Sequence, residues 1–166
     1  MDKKVVIGIL IFTALIIVGS ILFSNNSPSK ASLQKTAGAS MQTFETSFDF
    51  KDIKYSGGNV DHPFRIKNSG TSDLTIGNMS TSCMCTQVFF QKGSIVGPRF
   101  GMTGHASEGA WKGVLKPGEE ASIVAVFDPT AHGPSGVGPM SRLVSFETND
   151  PDHPYVELSF KGTVVK

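Results

Sequence analysis

Past residue 43 the apolar residues of this chain fall on every second position. Phe48 and Phe50 alternate with Asp49 and Lys51, and Phe64 and Ile66 point one way within VDHPFRIK (60–67). Leu74 and Ile76 repeat the pattern in LTIGNM (74–79), with Met79 close behind. In ASIVAVF (121–127), Ile123, Ala125 and Phe127 share one face, and Val124 and Val126 share the other. Val88, Phe89 and Phe90 form a further apolar run, and 143–146 and 155–165 read as two more strands. A period of two is the signature of a β-strand, because successive side chains leave opposite faces of the pleat. The clusters YSGGN (55–59), NSGTSD (68–73), KPGEE (116–120) and ETNDPDHP (147–154) carry the Gly, Pro, Asn and Asp that tight turns require. No stretch after residue 43 carries the 3.6-residue apolar stripe of a helix. About six to eight short strands at this spacing predict an all-β, immunoglobulin-like β-sandwich over 44–166, with most of the chain's 12 Phe supplying much of its core.

The beginning of the chain follows another pattern. Residues 5–23, VVIGILIFTALIIVGSILF, carry no charge. As a helix they would reach about 28 Å, close to the thickness of a bilayer's hydrocarbon core. Lys3 and Lys4 precede the run and no basic residue follows until Lys30. The positive-inside rule then places the first residues in the cytoplasm and the rest of the chain outside. We read 1–24 as one N-terminal transmembrane helix, an uncleaved anchor. A cleaved signal sequence is the rival, but its apolar region is usually shorter and ends at an A-x-A-like site, whereas SILFSNNS offers only Ser. Residues 25–43 (NNSPSKASLQKTAGASMQT) are rich in Ser, Ala and Lys without apolar periodicity, and read as a flexible stalk. The sandwich is thus expected to be extracytoplasmic, in the periplasm or at the cell surface.

Composition narrows the function classes. The net charge is only +1, and acidic residues slightly outnumber basic ones beyond residue 43. Nucleic-acid binding has no electrostatic support. About 120 residues can bury a core without disulfides, so the chain's two cysteines are not needed as a staple. Residues 92–113, KGSIVGPRFGMTGHASEGAWKG, break the rhythm of strands with a long Gly-rich loop; such loops are often functional.

Five pieces in order, FDFKDI (48–53), FRIKNSGTSDLTI (64–76), TSCMCT (81–86), LKPGEEASIVAVFD (115–128) and FETNDPDHPYVELSFKGTV (146–164), resemble the bacterial domain of unknown function 1573. That family is an immunoglobulin-like sandwich related to the domains named for ASPM, SPD-2 and hydin. The resemblance implies an exported or membrane-anchored domain. This chain departs from the family pattern in two places: Met84 stands where the family has glycine between the cysteines, and the loop after the motif is longer.

The chemistry is concentrated in TSCMCT. In a regular strand Cys83 and Cys85 would face one side roughly 6.6 Å apart. A disulfide needs Cβ atoms near 3.8 Å, so the two can bond to each other only if the backbone leaves strand geometry. A metal asks less: two thiolates on one ion with bonds of about 2.3 Å sit nearly 4 Å apart. Zinc would want four closed ligands and no convincing quartet exists; Cu(I) accepts two or three soft donors. The candidate metal set is therefore Cys83, Met84 and Cys85 with Met102 and His105 from the long loop. A thiol-redox role would need a positive group near the sulfurs, and the motif itself holds none. Two inert buried thiols are the plain alternative. His62, His132 and His153 neighbour Pro or Gly, the context of turns. Ser82 lacks a G-x-S-x-G setting, no phosphate-cradling motif is present, and Asp150 and Asp152 fit a hairpin turn without calcium. The expected function is a non-enzymatic binding or scaffolding module that pairs with an exported protein through 92–113, with Phe100, Met102 and Trp111 as its contacts. Cu(I) binding or delivery, and thiol redox chemistry, are the alternatives.

Overall fold

The computed structural model describes residues 33–102 and 111–166, together with Val5, Phe12, Thr13 and Ile16 near the start. Those four positions are helical and exposed. Among the described residues no helix is long and apolar enough to cross a membrane. The expected anchor at 1–24 otherwise lies outside the described residues, as does His105.

Residues Leu33–Lys166 form one compact unit. Its described residues form ten strands: β1 (Met41–Thr43), β2 (Ser47–Lys54), β3 (Val60–Asn68), β4 (Leu74–Thr81), β5 (Thr86–Lys92), β6 (Ile95–Val96), β7 (Lys112–Leu115), β8 (Glu120–Phe127), β9 (Gly138–Thr148) and β10 (Tyr155–Val165). One sheet has the order β1-β3-β8-β5-β6 and the other β2-β10-β9-β4-β7. The expected all-β sandwich is therefore what the chain forms. The alternation read in 121–127 divides as the pattern requires: Ile123, Ala125 and Phe127 enter the core between the sheets, while Val124 and Val126 pair with Phe89 in a small cluster on the outer face. Phe64, Ile66, Leu74, Ile76, Val144, Phe146, Leu158 and Phe160 complete the centre of the core. Each such side chain contributes about 1.5–3 kcal/mol by leaving water.

Two bulges reset the alternation. In β4 the buried positions run Leu74, Ile76 and then Met79, Thr81, one residue out of phase. The register against β9 shifts between Gly77 and Ser80, and Asn78 has φ 50°. A bulge adds one residue to one strand, so the side chains beyond it change face. In β2, Lys51 has φ 60°, and the parallel register with β10 shifts between Lys161 and Thr163. Gly162 lies against that bulge: a Cβ there would stand 2.9 Å from Ile53 Cδ1 and 3.0 Å from the Lys51 carbonyl oxygen.

Two sequence expectations are corrected. Residues 33–43 are not stalk. Leu33, Ala39 and Met41 are buried, and β1 pairs antiparallel with β3. Buried Asp150, in the β9–β10 turn, accepts a hydrogen bond from the Met41 backbone N–H at 2.8 Å, and Thr36 N–H donates to the Asn149 carbonyl at 2.9 Å. Gly70 lacks room for any Cβ because the backbone of Gly38 and Ser40 lies against it. This docking relies on backbone pairing and a distant carboxylate, which leave no apolar period to read. The described part of the 92–113 loop is not structureless either. After β6, Phe100 exchanges two backbone hydrogen bonds with Val88, both 2.8 Å. Met102 is bridged to Thr81.

Candidate functional site

TSCMCT is the passage from one sheet to the other. Thr81 ends β4 and Thr86 begins β5, so residues 82–85 turn across one end of the sandwich. The Thr81 hydroxyl donates toward the carbonyls of Cys83 (2.9 Å) and Thr86 (3.1 Å), which closes the turn. Thr86 N–H donates to the Cys83 carbonyl at 3.1 Å. The backbone has left strand geometry, as a direct Cys83–Cys85 bond requires; the Cα atoms are 5.3 Å apart and the two residues are joined as a disulfide.

Two neighbouring segments bring side chains to these sulfurs. Asp128 N–H donates to the Cys85 carbonyl at 2.9 Å, which fastens the start of the β8–β9 connection to the motif. The Asp128 carboxylate then accepts from the backbone N–H and hydroxyl of Thr130. The chain turns through His132 into a short 3-10 helix, Gly133–Gly136. His132 Nε2 ends 3.3 Å from Cys83 Sγ. On the other side, Ser82 exchanges hydrogen bonds with the backbone of Leu143: its N–H donates at 3.0 Å and its hydroxyl accepts at 2.9 Å. That places Arg142 beside the motif, where its Nε donates to Cys85 Sγ at 3.0 Å. The same guanidinium donates to the Ser141 carbonyl at 2.7 Å and stands 6.0 Å from the centre of the Phe127 ring.

The two sulfurs are unequal. Cys85 is 2% exposed and belongs to the core; Cys83 is half-buried at the rim. Cys83 also accepts the Cys85 backbone N–H at 3.3 Å. The donor atoms of Cys83, Cys85 and His132 all lie within 4.8 Å of one another. Among the described residues no further His, Cys, Asp or Glu joins this group.

Of the candidate metal residues, Cys83 and Cys85 come together. Met84 is 67% exposed on the outside of the turn. Met102 is paired through its backbone with Thr81, two residues before Cys83, and His105 lies outside the described residues. The expected partner contacts lie as follows in the fold. Phe100 is 5% exposed and part of the core. Trp111 is half-buried, its ring packed on Phe90 and Phe100 at centroid distances of 5.5 and 5.9 Å. Gly97 and Gly113 both give way to that ring, since a Cβ on either would stand within 3 Å of it. His62, expected in a turn, lies in β3, stacked on Phe48 and 2.6 Å from Glu45 Oε1.

His132 and Arg142 carry the chemistry that sequence reasoning passed over. His132 sits in an H-G-P turn, where ordinary turn composition hides a side chain that reaches a sulfur. Arg142 is one cation within a strand, 57 residues from Cys85, and no spacing rule links the two.

Residues 41–99 match the family model described as "Protein of unknown function (DUF1573)", which bears out the family resemblance over that stretch. No curated protein matches the sequence. Among solved structures, the chain is similar to a protein of unknown function from Porphyromonas gingivalis W83, with 17% identity and a TM-score of 0.57 over 84% of this chain and 51% of that one. This chain thus spans about half the length of the Porphyromonas protein. It is also similar to the ASH/PapD-like domain 7 of human CEP192, at 15% identity and a TM-score of 0.48 over 85% of this chain and 96% of that one. The E. coli chaperone DraB follows at 9% identity and a TM-score of 0.41, over 76% and 54% of the two chains. At such identities the likeness is one of fold, that of an Ig-like β-sandwich.

Proposed function

We propose that this chain is an exported, non-enzymatic binding domain, tethered by its apolar N-terminal segment, and that the ligand of its TSCMCT turn is Cu(I). The observation that carries the reading is the gathering of Cys83 Sγ, Cys85 Sγ and His132 Nε2 at one end of the sandwich. The donor set fits: two thiolates and an imidazole are soft and intermediate donors, and Cu(I) is content with two or three of them. All three donors lie within 4.8 Å of one another, so once the disulfide is reduced the two sulfurs need only part to the roughly 4 Å that ligands on one ion keep at bonds of about 2.3 Å. Zinc is the poorer fit, since it closes four positions in a structural site. Two thiolates around a monovalent ion leave one negative charge, and Arg142 stands against Cys85 to balance it. The pair binds metal only as the reduced dithiol. Export follows from the uncharged run 5–23 behind Lys3 and Lys4. The test is a titration of the full-length reduced protein with Cu(I) against a chromophoric chelator. One equivalent is expected, lost in Cys83→Ser and in Cys85→Ser. Sub-stoichiometric copper that is indifferent to the double serine variant would overturn the reading.

A specific observation also supports the scaffolding role. Ile95 and Val96 are 60% and 59% exposed on the edge strand β6, and Val114 is exposed on β7, the edge of the other sheet. An open edge carrying apolar side chains can accept an extended segment of a protein partner. The paired substitution Ile95→Asp and Val96→Asp should abolish recovery of a crosslinked exported protein from the native host; unchanged recovery counts against it.

A further inference from the structure

We infer that the Cys83–Cys85 disulfide is a directional thiol-exchange site, in which Cys83 is the sulfur attacked and Cys85 the sulfur that departs. The same two atoms serve the copper reading, but the inference holds whether or not the dithiol binds a metal.

The direction comes from the unequal surroundings of the two sulfurs. Exchange needs a thiolate to approach one sulfur in line with the S–S bond, so access decides which is attacked. Cys85 is enclosed by the core, whereas Cys83 lies half-buried at the rim of the turn. Attack on Cys83 Sγ makes Cys85 the leaving group. Exchange is faster when the departing thiolate is stabilised, and Cys85 has a permanent cation in place: Arg142 Nε donates to its Sγ at 3.0 Å. The Thr86 hydroxyl stands 3.7 Å from the same sulfur. Arg142 is held for this by the Ser141 carbonyl and the face of Phe127.

The step balances with an external thiol as reductant. The thiolate RS⁻ donates its electron pair to Cys83 Sγ, the Cys83–Cys85 bond breaks, and its electron pair leaves on Cys85 as thiolate. A second RS⁻ attacks the R sulfur of the mixed disulfide, giving RSSR and the Cys83 thiolate. The domain gains two electrons and RSSR carries away the oxidation. In reverse, the more accessible Cys83 thiolate attacks a disulfide and Cys85 resolves the adduct. His132 Nε2, 3.3 Å from Cys83, is placed to hydrogen-bond that sulfur.

The test uses the oxidised full-length protein in chelator, so that a failure of copper binding cannot affect it. It is exposed briefly to glutathione, quenched in acid, and the adduct mapped by tandem mass spectrometry. The adduct is expected on Cys83 over Cys85 by about tenfold or more, from the difference in access. Arg142→Gln should slow opening by about tenfold through loss of the charge-assisted hydrogen bond, and Arg142→Lys should recover most of the rate. Melting temperatures of the variants separate a folding defect from a change in exchange. An adduct mainly on Cys85, or a folded Arg142→Gln that opens as fast as wild type, would overturn the inference.

Discussion

Asp150→Asn changes one oxygen to an amide nitrogen in a residue that is 1% exposed, and its cost can be worked out bond by bond. Oδ2 accepts from the Met41 backbone N–H at 2.8 Å and from His153 Nδ1 at 3.1 Å; Oδ1 accepts from the Asp152 N–H at 2.8 Å. An asparagine has one acceptor oxygen. If it faces Met41, its NH2 opposes the Asp152 N–H; if it is flipped, the NH2 opposes Met41. Either way an N–H loses its partner, the buried one of Met41 or the part-buried one of Asp152, which costs about 1–3 kcal/mol, and the remaining bonds lose their charge assistance. The total comes to about 2–4 kcal/mol. For a domain of this size that lowers the melting temperature by roughly 8–16 °C, at about 4 °C per kcal/mol. Thermal and urea unfolding measure it. Limited proteolysis at the exposed Lys35 should quicken in parallel, because the bond to Met41 helps to dock 33–43. A loss below about 0.5 kcal/mol, within the range of ordinary surface substitutions, would refute the reasoning.

Asp150 also predicts the acid limb. Burial alone would push its carboxyl up, but the N–H groups of Met41, Asp152 and His153 outweigh it and hold the pKa below the ordinary 3.8. A depressed carboxylate contributes stability that is fully present above its unfolded pKa and is lost as pH falls through the folded one. Wild type should therefore lose this contribution below about pH 4, and Asp150→Asn should lack that part of the acid dependence.

Trp111→Ala should cost about 2–3 kcal/mol, because a half-buried ring on Phe90 and Phe100 is removed; Gly97→Val, which leaves Trp111 in place but intrudes on its ring, should red-shift the emission of this one tryptophan. Gly162→Val should destabilise by about 1–3 kcal/mol in denaturant, since its Cβ meets the β2 bulge; Gly58→Ala, where a Cβ meets nothing, serves as a control whose only cost is its positive φ. In Cu(I) competition, His132→Ala should weaken binding about tenfold or more, whereas Met84→Ala should stay within about twofold of wild type.

Period-two apolar positions were enough to place β2, β3, β4 and β8, and shorter apolar segments marked β5, β9 and β10, because burial is written in the residue types. The short strands escaped. β1 and β6 are only 3 and 2 residues long, and they are held by backbone hydrogen bonds to which side-chain pattern is blind. Met79 rather than Asn78 joins Leu74 and Ile76 in the core because a bulge at Asn78 adds one residue to β4.

The order of residue types alone reveals a β-sandwich and draws attention to Cys83 and Cys85. Hydrophobic alternation is a local property, and so is the spacing of two thiols. What faces those thiols depends on how distant segments pack in space. His132 reaches Cys83 from the β8–β9 connection and Arg142 reaches Cys85 from β9, because backbone bonds at Asp128 and Ser82 pull these separate segments onto one turn. The cation that a reactive thiol needs was absent from the motif and present in space.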